Sequence, residues 1–76
     1  MSTGTSLGHR IRALRQERGW TLAVLAEQSF TSVSYLNDIE HDRAHPSLNR
    51  LQSIAEAFGI NVRALLIGVD PFDSPV

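Results

Sequence analysis

Apolar residues recur along this chain at spacings of three and four, and the pattern predicts a series of short amphipathic helices. The spacing is clearest in residues 7–14 and in residues 48–58. It places the apolar side chains on one face of an α-helix, where they can form a core. No segment has the polar and apolar alternation that is typical of a β-strand. The pattern therefore predicts an all-α fold.

Five polar residues stand where helix N-caps are expected, each just before an apolar series. They are Ser6, Thr21, Ser32, Ser47 and Asn61. A glycine, a large apolar residue and a capping residue follow one another at 19–21 and again at 59–61. The glycine can end one helix in a left-handed conformation, and the apolar residue can pack beneath the next helix. We therefore expect five short helices in one compact domain.

The length and composition limit the protein to one small domain. Of the 76 residues, 42% are hydrophobic, and a core of that size contributes only ~3–5 kcal/mol. We expect a flexible lead over residues 1–5, the domain over residues 6–69 and a tail over residues 70–76. The absence of cysteine excludes disulfides and thiolate metal sites. With no apolar run near the ~18 residues of a membrane span and no signal-peptide pattern, a cytoplasmic protein is expected.

The net charge of -1 does not by itself indicate a nucleic-acid partner. All seven basic residues are arginine, with four between residues 10 and 18 and two more at positions 43 and 50. Phosphate binding depends on local fields more than on the total charge, so the sum is a weak argument in either direction.

Residues 33–41 combine an apolar face with a face of short polar side chains. At about 100° per residue, Tyr35, Leu36 and Ile39 share the apolar face. The opposite face carries Val33, Ser34, Asn37, Asp38 and His41. Short donors and acceptors on the outside of a helix can reach base edges in the major groove. An ordinary solvated face has the same composition, so this helix alone leaves both interpretations open.

Short motifs in residues 7–66 match one known domain family, in order and with few length changes. They are Leu7-Gly8, Ile11-Arg12, Leu14-Arg15, Glu17-Arg18-Gly19, Thr21, Leu25-Ala26-Glu27, Ser32, Ser34-Tyr35-Leu36, Ile39-Glu40, Arg43, Pro46-Ser47-Leu48, Leu51, Ile54-Ala55, Phe58-Gly59 and Leu65-Leu66. On these residues the chain resembles the lambda-repressor-like helix-turn-helix domain of the Cro/CI type, also called the xenobiotic-response-element family. The resemblance implies a five-helix domain in which helices two and three form the helix-turn-helix and helix three enters the major groove.

The resemblance also implies roles for individual residues. The implied base or base-adjacent contacts are Ser32, Val33, Ser34, Asn37 and Asp38. The implied phosphate contacts are Arg43, Ser47, Asn49, His41 and Tyr35. A structural ion pair between Arg15 and Glu40 is implied as well, and a solvent-exposed pair is the weaker alternative.

Several positions depart from the family pattern. Phe30 stands where the turn between helices two and three usually has glycine, so we expect either a strained left-handed phenylalanine or a reshaped turn with Phe30 in the core. Thr31 replaces an apolar core residue. Leu22 and Val24 replace polar residues, which removes an expected phosphate contact and leaves both side chains available to a partner. Asp42 replaces a glycine, and its charge is expected to weaken phosphate binding.

Other arrangements of chemically active residues carry less weight. His41, Asp42 and His45 resemble a metal-ligand cluster, but Pro46 and the expected loop disturb the helical spacing and no third strong ligand is near. There is no nucleophile elbow and no glycine-rich phosphate loop. We therefore expect no enzyme activity, no metal or other cofactor, and no small-molecule ligand.

The function that these observations favour is sequence-specific binding of double-stranded DNA by a bacterial or phage transcriptional regulator, acting as a repressor. A homodimer on an inverted repeat is expected. The apolar residues of 65–72 then form a dimer contact or lead to another domain, unless they only close the core. The alternative is a helix-turn-helix that binds protein, such as an antitoxin or an accessory subunit. The low charge, Leu22, Val24 and the apolar tail favour that alternative.

Overall fold

The computed structural model describes residues 5–69, and five α-helices form within them. The helices are α1 (Leu7–Glu17), α2 (Leu22–Ser29), α3 (Val33–Glu40), α4 (Leu48–Phe58) and α5 (Val62–Leu65). Each predicted N-cap residue precedes its helix, and its side-chain oxygen accepts a hydrogen bond from the backbone N–H three residues later. The prediction of an all-α, five-helix domain is confirmed.

The two ends of the described part lie side by side. Thr5, the last residue of the predicted lead, donates its N–H to the carbonyl of Gly68 at 2.8 Å. The same residue forms an isolated parallel bridge with Val69. Residues 1–4 of the predicted lead, and the predicted tail from residue 70 onward, lie outside the described residues.

The core fills the space between the helices, with α2 packed on both α3 and α4 and α1 packed on α3. Its buried hydrophobic side chains are Ile11, Leu14, Leu25, Ala26, Leu36, Ile39, Ile54, Ala55, Phe58 and Leu65. Trp20 stacks on Phe58 with 5.7 Å between the ring centroids. None of the helices described is long and apolar enough to cross a membrane.

Leu22 and Val24 are less available to a partner than the sequence suggests. Both side chains are half-buried, and Leu22 packs against the core. Part of each side chain remains exposed, so a partner contact at the start of α2 stays a prediction.

Four helices end in a left-handed residue, although only two of these residues are glycines. The φ angles are 67° at Gly19, 56° at Phe30, 59° at Asp42 and 76° at Gly59. In each case the next residue donates its N–H to the carbonyl five residues before it; the N–H of Thr31, for example, lies 2.9 Å from its acceptor. This pairing satisfies carbonyls that a helix end leaves open. It confirms the two predicted glycine turns.

Phe30 adopts the conformation of the glycine that it replaces, and its side chain is 88% exposed. The hypothesis that Phe30 fills the core and reshapes the turn is therefore wrong. The nearby core position is occupied by Thr31, whose Oγ1 donates to the carbonyl of Ser29 at 3.0 Å and accepts from Ser29 Oγ at 3.1 Å. Ser29 is buried and Thr31 is half-buried, and both polar side chains are tolerated because each has a hydrogen-bond partner.

We expect Phe30→Gly to stabilise the domain by about 1 kcal/mol, because glycine adopts positive φ without the steric penalty of a side chain. Urea denaturation, followed by the fluorescence of Trp20, measures the change. Asp42→Gly is the matched control: aspartate tolerates the left-handed conformation better than phenylalanine, and the change also removes a hydrogen bond, so it should gain less. A Phe30→Gly variant that is less stable than the parent would contradict the account.

Asp42 uses its left-handed position to connect α3 to α1. Its Oδ1 accepts a hydrogen bond from the N–H of Gly8 at 3.2 Å, across 34 positions of sequence. The first turn of α1 has no acidic residue of its own, so Asp42 supplies the negative charge that a helix N-terminus favours. The expectation that the charge of Asp42 weakens phosphate binding stays a prediction, and the structure shows that the carboxylate is turned toward α1.

Candidate nucleic-acid interface

The third helix has one anchored face and one accessible face. Leu36 is fully buried, Ile39 is 1% exposed and Glu40 is 5% exposed, and these residues fix α3 against the core. On the accessible face, Val33 is 45% exposed and Ser34 is also exposed. Because the buried face fixes the orientation of α3, the same residues always face outward.

The predicted base-contacting residues lie together on α3, but they differ in what already occupies their polar atoms. Ser32 Oγ caps the helix by accepting from the N–H of Tyr35 at 3.1 Å. Asp38 forms an exposed ion pair with Arg43, at 3.0 Å between Nη2 and Oδ1. Within residues 5–69, the Ser34 hydroxyl and the Asn37 side-chain amide have no hydrogen bond to protein. These two groups are therefore free to bind a ligand.

The predicted phosphate contacts lie on three separate elements. Tyr35 is half-buried and packs against the core, while Asn49 is exposed on the first turn of α4. Ser47 Oγ caps α4 by accepting from the N–H of Arg50 at 3.3 Å. His41 follows α3, and its Nδ1 lies 2.8 Å from the carbonyl oxygen of Asn37, so Nδ1 carries the proton in this contact.

Arg50 belongs to the same region, although the sequence analysis assigns no role to it. Its Nη1 lies 3.4 Å from the carbonyl oxygen of Phe30. This contact brings a guanidinium from the first turn of α4 to the turn between α2 and α3. The placement of one arginine at position 43 and another at position 50 was the only signal in the sequence.

Arg10 of α1 and Arg18, which follows α1, donate hydrogen bonds to backbone carbonyls at the ends of other helices. Arg10 donates to the carbonyls of Leu65 and Ala64, at 3.2 and 3.1 Å. Arg18 donates to the carbonyl of Phe58 at 2.8 Å, and its guanidinium lies 4.8 Å from the centre of that ring. Both side chains satisfy carbonyls at helix C-termini, where a positive charge is favourable. Two of the four arginines between residues 10 and 18 therefore bind backbone carbonyls of the domain, while Arg12 is exposed.

Arg15 and Glu40 form a bidentate ion pair between α1 and α3. Nε lies 2.7 Å from Oε2, and Nη2 lies 3.0 Å from Oε1. The side chains are 13% and 2% exposed, and Arg15 Nη1 also donates to the carbonyl of Trp20 at 2.8 Å. The hydrogen bond to Glu40 raises the pKa of Arg15 above its usual value, with burial opposing the rise. Arg15 therefore stays charged through the neutral range. The ion pair connects α1 to the buried face of α3.

The histidines near the end of α3 form no metal site with their neighbours. In the part of the chain that the structure describes, no group of three histidine, aspartate or glutamate side chains is placed to hold an ion. The carboxylate of Asp42 accepts a hydrogen bond from α1 and does not converge with His41 and His45 on a common point.

The helix-turn-helix family model matches residues 11–65, which span α1 to α5 almost completely. The chain belongs to this family of Cro/CI-type helix-turn-helix domains. Membership puts the matched part in a DNA-binding class that is not enzymatic. The chain is 50% identical over 64 residues to the HTH-type transcriptional regulator DdrOP3 of Deinococcus deserti, covering 84% of this chain and 50% of that protein.

Two further relatives agree with this assignment. The immunity repressor protein of Bacillus phage phi105 is 49% identical over 61 residues, covering 80% of this chain and 42% of the repressor. The crystal structure of SinR, a master regulator for biofilm formation, in complex with DNA is 34% identical, with a TM-score of 0.74; the match covers 79% of this chain and 97% of that one. The chain thus spans about half the length of the curated relatives that it matches.

Proposed function

We propose that this chain binds double-stranded DNA sequence-specifically and regulates transcription as a repressor, in the cytoplasm of a bacterium or phage-infected cell. The observation that carries the proposal is the accessible face of α3, where Ser34 and Asn37 present unoccupied polar groups on a helix fixed from behind. A helix of this kind fits the major groove, and occupation of a promoter needs no chemistry. The names of the relatives, which include a phage immunity repressor, support the same function.

In the proposed complex, base readout and phosphate contacts come from different elements. Asn37 pairs with adenine through its amide, Ser34 donates to or accepts from a base edge, and Val33 meets a thymine methyl. Backbone N–H groups at the start of α4, with Ser47 and Asn49 beside them, bind phosphate. His41, Tyr35 and Ser32 contribute at the edges of the same surface.

We expect Asn37→Ala to weaken binding to the preferred duplex by about 10- to 100-fold and binding to random DNA hardly at all, because a two-bonded base contact is worth ~1–3 kcal/mol of discrimination. Fluorescence anisotropy with a selected and a scrambled duplex measures both affinities. Gln16→Ala, at an exposed position of α1, is the control and should change neither. Equal losses of affinity for both duplexes would show that Asn37 does not distinguish bases.

We propose further that the protein acts as a homodimer on an inverted repeat. Leu66 is 37% exposed and Ile67 is 63% exposed, and both follow α5 at the end of the described part. Apolar side chains at one end of a domain are suited to a contact between two copies. Two half-sites of such an operator lie about 34 Å apart, one turn of the double helix.

The second candidate function is binding to another protein through the helix-turn-helix. The side chain of Phe30 is 88% exposed and could contact such a partner, although a single exposed apolar side chain is common on protein surfaces. The two functions differ in their response to salt, because only DNA binding releases counterions and weakens steeply as salt increases.

A further inference from the structure

An exposed ion pair joins the accessible face of α3 to the loop that follows it. Arg43 Nε lies 3.1 Å from Asp38 Oδ1, and Nη2 lies 3.0 Å from the same oxygen. The side chains are 55% and 43% exposed. A pair this accessible to water adds little to stability. The pair places the Arg43 guanidinium beside the side chains that are proposed to meet bases.

The backbone around Arg43 is fixed as well as its side chain. The N–H of Arg43 donates to the carbonyl of Asp38 at 2.8 Å, which closes the left-handed turn at Asp42. Asp42 is held in turn by the N–H of Gly8. Both the backbone and the side chain of Arg43 therefore contact Asp38, and the turn between these two residues is bound to α1 through Asp42.

The ion pair with Asp38 leaves some N–H donors of the Arg43 guanidinium without a partner in the pair. Because Nε and Nη2 both approach Oδ1, the two N–H groups of Nη1 and the outer N–H of Nη2 remain available on the planar fork. Two parallel donors from one guanidinium match the O6 and N7 acceptors of guanine in the major groove. The second carboxylate oxygen of Asp38 remains an acceptor for the N4 amino group of cytosine.

We infer that Asp38 and Arg43 act as one unit that reads a G·C base pair, with Arg43 contacting guanine and Asp38 holding the guanidinium in position. The inference rests on the proposed DNA-binding function and replaces the phosphate contact that the family resemblance implies for Arg43. It also accounts for a negative charge on a face that approaches DNA. Asp38 is neutralised by its partner, and its carboxylate restricts the guanidinium to one orientation.

The test compares the base preferences of variants on the duplex that the parent protein selects, with each base pair replaced in turn. Arg43→Lys keeps the charge but loses the planar fork, and Asp38→Ala keeps the arginine but removes its support. Each should reduce a preference of about tenfold or more for G·C at one base pair to less than about twofold. The double variant Asp38→Ala/Arg43→Lys should lose no more than either single variant. Arg12→Ala, which removes an exposed arginine on α1, should leave the preference intact.

Three other outcomes would contradict the inference or the proposed function. If Arg43→Lys keeps every base preference and Asp38→Ala tightens binding to all duplexes alike, Arg43 is a phosphate contact, Asp38 is a repulsive charge, and the inference is wrong. If the parent protein selects a sequence but the preferences of both variants match it, the inference fails while the proposed function stands. If the parent selects no sequence at all, the proposed function fails and the inference with it.

Discussion

Replacement of Arg15 by methionine is expected to destabilise the domain by about 3–5 kcal/mol, because it leaves the carboxylate of Glu40 buried without its partner. The Glu40 side chain is only 2% exposed, so water cannot take the place of the guanidinium. The change also removes the donor to the carbonyl of Trp20. A domain of this size has a free energy of unfolding of only about 4–11 kcal/mol. We therefore expect a large fall in the urea midpoint, read by the fluorescence of Trp20 and by far-ultraviolet circular dichroism.

The exposed ion pair between Arg43 and Asp38 provides the control for this prediction. Arg43→Met breaks an ion pair of the same chemical type, but one whose partners are 55% and 43% exposed. It should change the free energy of unfolding by at most about 1 kcal/mol. The double variant Arg15→Met/Glu40→Leu should recover most of the lost stability, since apolar side chains can replace a buried pair. Equal small losses for Arg15→Met and Arg43→Met would contradict the structural role given to the α1–α3 pair.

The second large effect is expected at Gly8, where alanine should destabilise the domain by about 3 kcal/mol or more. A Cβ built on Gly8 would overlap the carbonyl oxygen of Ile39 and lie 2.7 Å from that of Glu40. Both are backbone atoms and cannot rotate away, so α1 and α3 would have to separate. The loss should occur although alanine is the better helix former by about 1 kcal/mol.

Gly19→Ala provides the comparison for Gly8→Ala, because the cause of its expected effect is different. A Cβ at Gly19 would meet nothing within 4 Å, but the residue has a φ of 67°. That substitution should therefore lose only about 1–2 kcal/mol through backbone strain. Chemical denaturation of both variants under the same conditions ranks them. A Gly8→Ala variant as stable as the parent would mean that α1 and α3 do not approach as closely as described.

The sequence predicts local structure in this protein much better than contacts between helices. The capping residues and the turns at Gly19 and Gly59 were predictable, since each depends on a few neighbouring positions. Phe30 could not be placed, because a left-handed phenylalanine and a buried one are both compatible with the same residues. In the structure Phe30 is left-handed with an 88% exposed ring, and the N–H of Thr31 closes the turn.

The contacts that organise the candidate interface depend on pairs distant in sequence. Nothing local indicates that Asp42 binds the N–H of Gly8, or that Arg10 closes the end of α5. The sequence therefore suggested a basic stretch in α1 where the structure has helix-capping arginines. The accessible face of α3 was predictable from helical periodicity alone, but its association with DNA depended on resemblance to a family. The roles of its individual residues remain predictions.

Selection from a pool of random duplexes at two salt concentrations decides whether this chain binds DNA sequence-specifically as a dimer. The stoichiometry of the selected complex is measured by light scattering. We predict an enriched inverted repeat with half-sites about 34 Å apart, two chains per duplex, and binding that falls steeply as salt increases. A pool that remains random, with retention that does not depend on salt, would contradict the claim and favour a protein partner instead.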